Sequence, residues 1–177
     1  MLATRRRQRG LTIIEILIAI AIIGLLLTLA MPQYSVWLQN GQIRTAAEGV
    51  LTGLQFARAE AVSRNVPQGV RFSRLADNGW TVTVVSTGEV LRSQSGTERT
   101  ANAVVAALPA GSDDVTFNGF GRVVAPANAV TVEVTNPTGG ACVKVGGDMR
   151  CLSILVAQSG AIRMCDPAKL PPDAQAC

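Results

Sequence analysis

Residues 5–32 read RRRQRGLTIIEILIAIAIIGLLLTLAMP. Four arginines precede a Gly-Leu junction, and the 21 residues from Leu11 to Met31 then carry only Thr12, Glu15 and Thr28 as polar side chains. At about 1.5 Å per residue this run spans roughly 30 Å, the thickness of a bilayer's hydrocarbon core. It predicts a transmembrane helix over residues 11–32. A secretory signal has a shorter apolar core with its small-residue cleavage site behind it, whereas here the small residue, Gly10, stands in front. Cleavage at that point leaves the helix on the mature chain and makes residues 1–10 a leader. Arg5, Arg6, Arg7 and Arg9 lie on one side of the helix, so the positive-inside rule keeps the leader in the cytoplasm and carries the rest of the chain across the membrane.

The leader also accounts for the chain's positive charge. Sixteen Lys and Arg against 12 Asp and Glu give +4, and four of those arginines sit in the first ten residues. The remainder is balanced. The net charge by itself is therefore no argument for a nucleic-acid partner.

Beyond Pro32 the pattern becomes amphipathic. Ile43, Ala47, Val50, Leu54, Ala57 and Ala61 recur at alternating spacings of four and three, with Arg44, Glu48, Gln55 and Arg58 elsewhere on the wheel. This predicts a helical stem, 33–65, laid on an apolar surface of the same chain. Asn65 tolerates a left-handed cap and Pro67 disfavours helix in the residue before it, so the stem is expected to stop near Arg64. Within the long helix Gly24 and Pro32 bracket a stretch that can lose its hydrogen-bond ladder or simply kink.

From residue 66 the period falls to 2. The runs 69–73, 80–86, 89–93, 115–118, 130–135, 142–145 and 152–156 are short and β-branched, with a further strand at AVVAAL, 103–108. The fold class is α+β: a long N-terminal helix packed on one antiparallel sheet.

Residues 7–26, RQRGLTIIEILIAIAIIGLL, resemble the class III signal of type IV pilins and type II secretion pseudopilins: a basic leader, Gly10, a hydrophobic residue, and a glutamate at the fifth position after the cut. Residues 54–73, LQFARAEAVSRNVPQGVRFS, and 117–123, FNGFGRV, are similar to signatures of the GspH/FimT-type minor pilins. The resemblance implies a prepilin peptidase that cuts between Gly10 and Leu11 and methylates the new N-terminus. It also implies a bacterial inner-membrane location with a periplasmic head, and other major and minor pilins or pseudopilins as partners. The function implied is that of a minor pilin that initiates or caps a type IV pilus, with the H pseudopilin of a type II secretion system as the alternative. Glu15 fits this reading physically. A carboxylate at membrane depth costs on the order of 2–3 kcal/mol and persists where it finds a partner. The α-amine freed at Leu11 of a neighbouring subunit supplies one.

Some relatives are DNA receptors that carry Gly-Arg-x-Arg in the C-terminal loop. Here the place is Gly160, Ala161, Ile162, Arg163, with one of the two arginines, and with Arg150 and Lys169 it makes a modest candidate site for double-stranded DNA without an aromatic for stacking. Arg58, Arg64, Arg71 and Arg74 form a second basic strip.

The four cysteines allow three pairings. A two-residue hairpin turn at Gly146-Gly147 places Cys142 opposite Cys151, about 4.5 Å apart at a non-hydrogen-bonded site. Cys165 and Cys177 then close the proline-rich loop between them. No histidine is present, which removes Ser-His-Asp and Cys-His catalysis and mixed His/Cys metal sites, and no phosphate-binding glycine loop occurs. No enzymatic activity, cofactor or metal is expected. Gly10→Ala is expected to leave full-length precursor in the membrane, as read by immunoblot; normal processing of that variant removes the basis for a cut at this junction.

Overall fold

The computed structural model describes residues 12–96 and 100–177. It divides into two compact units, one ending at Ser35 and one running from Val36 to Cys177. Gly10 and Leu11, with the leader, lie outside the described residues.

Helix α1 runs Ile13–Arg64. It begins where Thr12 accepts the Glu15 N–H on its Oγ1 at 3.3 Å. It ends at Asn65, whose φ of 47° places it in the left-handed region that terminates helices. The helix is bent between Thr28 and Gln33, a break that contains Pro32, where an N–H is missing from the ladder. Among the described residues no single straight helix is long and apolar enough to cross a membrane, and Ile13–Thr28 and Gln33–Arg64 meet that requirement as a bent pair. Around Gly24 the backbone stays helical, with open space where a side chain would go.

The second unit is built on the stem. Ile43, Ala47, Val50, Leu54, Ala57 and Ala61 are all at most 1 % exposed, joined by Ala46. They pack against two antiparallel sheets rather than the single sheet expected. The strands are β1 (Val70–Arg74), β2 (Trp80–Val84), β3 (Val90–Gln94), β4 (Val104–Leu108), β5 (Asp114–Phe117), β6 (Val123–Ala125), β7 (Val130–Thr135), β8 (Leu152–Val156) and β9 (Ile162–Cys165). One sheet has the order β3-β2-β1-β5-β6 and the other β4-β7-β8-β9. Phe72 pairs with Val82 and Val115 in the first, and Val132 with Ala107 and Ile154 in the second. These side chains and the stem stripe form one hydrophobic core.

The close fit is visible at Gly53. A Cβ there would lie 2.7 Å from both the Phe72 and the Trp80 rings, which themselves pack 6.1 Å apart at a 32° tilt. The stem needs a residue without a side chain at this turn to let the aromatic pair lie across it. Towards the other end of the stem polar side chains take over. Gln39 Oε1 accepts from Asn136 Nδ2 at 2.6 Å and from Asn102 Nδ2 at 3.2 Å, with Asn136 fully buried. Gln42 Oε1 accepts the Asn102 N–H at 3.0 Å, and Asn40 Oδ1 accepts the Arg150 N–H at 2.6 Å. Three head loops are thereby held by about one turn of the helix, Gln39 to Gln42.

The hairpin at 142–151 is absent. Val143–Val145 form a 3₁₀ turn closed by Gly146 at φ 88°, and Cys142 O accepts from both Val145 N and Gly147 N. The physical reason is burial. An extended strand would face Val143 or Val145 inward, but both are exposed and Met149 fills the core instead.

Gly53→Ala is expected to destabilise the head by on the order of 1–2 kcal/mol, the overpacking against two buried rings outweighing the gain in helix propensity. A thermal midpoint lowered by about 2–8 °C in circular dichroism is the expected readout; an unchanged or higher midpoint contradicts the packing.

Candidate functional site

Two regions carry the residues singled out from the sequence. The first is the start of α1. Glu15 occupies its first turn, exposed, among Ile13, Ile14 and Ile16, which are also exposed. Thr12-Ile-Ile-Glu15 has the spacing of a capping box, and the structure shows the half in which the Thr12 side chain receives the Glu15 amide. A carboxylate in this turn also faces the positive end of the helix dipole. The sequence carries this signal in the Thr-x-x-Glu spacing.

The second region is the C-terminal loop. Cys142 is bridged to Cys151 and Cys165 to Cys177, with Cα separations of 5.5 and 5.1 Å. The first separation exceeds the 4.5 Å of the hairpin geometry because the bridge spans a 3₁₀ turn and not a strand pair. The second bridge closes a loop that is held by more than sulfur. Arg163, on β9, donates from Nη1 to Ala176 O at 3.1 Å and from Nη2 to Cys177 O at 3.0 Å. Asp166 N donates to Gln175 O at 2.7 Å. Lys169 Nζ reaches Gln175 Oε1 at 2.7 Å and Asp173 Oδ2 at 3.0 Å.

Of the three candidate cations, then, two bind their own loop. Arg150 is exposed and has no ion pair among the described residues. It borders a groove of about 590 Å³ whose wall is Trp37 and Arg44 of the stem on one side and Leu152, Met164 and Asp166 of the head on the other. Three of the four arginines of the second basic strip are likewise paired. Arg64 pairs with Glu60 and Glu89, Arg71 with Asp114 and Arg74 with Asp113. Among the described residues no group of three His, Cys, Asp or Glu side chains is placed to hold a metal ion.

This architecture is matched by known proteins. The family model described as Type II transport protein GspH matches residues 46–166, more than half of the chain. The chain belongs to the GspH family. The model of the prokaryotic N-terminal methylation motif matches residues 5–31, the stretch that holds Gly10, Leu11 and Glu15. Among solved structures the type IV minor pilin FimU of Pseudomonas aeruginosa is similar, with a TM-score of 0.56 and 23 % identity over 73 % of this chain and 97 % of that one. That likeness shows a shared pilin-like fold. Within the GspH match, Phe117 of the FNGFGRV segment ends β5, fully buried, and Gly121 lies on the β5–β6 connection.

Asp173 supplies a pH-dependent element. The Gln175 N–H, and after it the Lys169 ammonium, hold its carboxyl below the usual carboxylate range. The folded value is the lower one, so the stabilisation is complete above the unfolded value of about 3.9 and is lost as pH falls through the folded value. Between pH 6 and 8 the protection factors of residues 173–177, taken relative to the intrinsic exchange rate at each pH, are expected to be flat, with protection lost in the acid range, and Asp173→Asn should abolish the acid-range change. A titration that moves near neutrality instead contradicts the assignment.

Proposed function

We propose that this chain is a minor pilin, a structural subunit that helps to initiate or cap a type IV pilus after prepilin peptidase processing. The observation that carries the reading is the methylation motif over residues 5–31, placed at the head of the same helix whose far half forms the spine of a GspH-family domain. On this reading the peptidase cuts between Gly10 and Leu11 and methylates Leu11. The apolar part of α1 holds the subunit in the inner membrane with its head in the periplasm, and Gly24 and Pro32 give the helix places to change its ladder as the subunit enters the filament. Glu15 pairs with the α-amine of a neighbouring subunit. The partners are other pilins, which is what a head of this kind, tied together by two disulfides and dense loop hydrogen bonds, is suited to meet as a rigid block.

The name of the matching family favours a second reading, the H pseudopilin of a type II secretion system. The two share every element above and differ in the apparatus they serve. DNA reception is supported less well, because Arg163 and Lys169 spend their donors inside the C-terminal loop.

In a deletion strain, the wild-type gene is expected to restore surface pili, while Glu15→Ala is processed but restores them to about a tenth or less, the scale of losing one desolvated ion pair. Wild-type assembly by Glu15→Ala denies the carboxylate a pairing role. Loss of exoprotein secretion with pili intact moves the second reading ahead of the first.

A further inference from the structure

The β5–β6 connection is held from three sides and displays an aromatic ring that the fold does not use. Asn118 organises it: its Oδ1 accepts the Phe120 N–H at 3.0 Å and the Arg122 N–H at 3.1 Å, and its own N–H meets Arg122 O at 2.9 Å. Arg58 of the stem donates Nε to Gly121 O at 3.2 Å. Gly121 adopts φ 72°, and Gly160 of the β8–β9 turn packs so closely on Gly121 O that no side chain fits there. Gly119 is likewise pressed against Asn65 at the stem's end. At the tip of this fixed turn Phe120 is 85 % exposed. Val62 of the stem, which lies against Gly121, is about half exposed.

A lone exposed hydrophobe is ordinary, but an aromatic on a preordered turn is the form that interface anchors take, because little ordering entropy remains to be lost on binding. The charge around it is one-sided. Arg122 follows the ring by two residues and Arg58 binds the carbonyl of the neighbouring Gly121, and neither has a carboxylate partner among the described residues, whereas Arg64, Arg71 and Arg74 are each neutralised. Two open cations and one ring are too few for a phosphate backbone, which is bound by several cations and several stacked bases. They suit an apolar recess bounded by carboxylates. Resting on the filament-subunit reading above, we infer that Phe120, with Arg58 and Arg122, is the anchor by which this head docks on another pilin-type subunit that presents an acidic-rimmed apolar recess.

The test uses the full chain in its native host membrane with photoreactive benzoylphenylalanine at position 120, and at position 170, another exposed apolar site, as control. The expected result is an adduct from position 120, absent from 170, to a polypeptide that mass spectrometry shows to carry a processed N-terminal methylation motif. Arg122→Glu in the same chain should cut its yield about tenfold or more with head stability unchanged. No adduct, an adduct to lipid or DNA, equal adducts from both positions, or a yield indifferent to Arg122→Glu each overturns the inference. The failures are separable: if Glu15→Ala blocks assembly while position 120 captures nothing, the subunit reading stands and this anchor falls.

Discussion

Everything in the head depends on one face of one helix. The stripe from Ile43 to Ala61 is the floor on which both sheets close, and alanine is its commonest residue, so the strands approach the helix axis closely. Without that face Phe72, Trp80, Val105 and Val132 would border water, and neither sheet has another layer to cover it. The same helix α1 also carries residues of the matched N-terminal methylation motif, so that motif and the stripe that stabilises the fold share one element.

The stem was legible because its signal is periodic and long. Six apolar positions at helical spacing leave little choice of face, and Asn65 followed by Pro67 marks its end through backbone sterics alone. The strands were legible where β-branched residues alternate. β6 and β9 were not, since VVA is too short to show a period and IRMC lacks the alternation. The division into two sheets was hidden for a different reason: it is a matter of which strands pair across long separations, from Leu108 with Thr131 to Val70 with Phe117, and nothing local encodes that choice. At 142–151 the Gly-Gly pair looked like a hairpin turn. The outcome was decided by the competition for burial between Met149 and the two valines, which turn chemistry alone does not reveal.

The surface residues divide in the same way. Glu15 stands out in any reading because an acid in an apolar run is costly, and its Thr12 cap adds a local purpose to the one inferred from the membrane. Arg163 and Lys169 looked like a basic patch in sequence, and the fold turns them inward on the loop that the Cys165–Cys177 bridge closes. Charge counted along a chain says how many cations there are. It does not say which have already met a carbonyl or a carboxylate.

The amide cluster on Gln39, Asn40 and Gln42 gives the head a mechanical property. A stripe of small apolar residues is nearly smooth, and by itself it resists sliding of the helix by one turn only weakly. The buried amide of Asn136 has its partner at a single setting, so the cluster works as a detent that indexes the helix against three loops at once. Tension along α1 then loads these bonds in shear, together and not one after another. A pull along the stem is thus shared by all three loops at once.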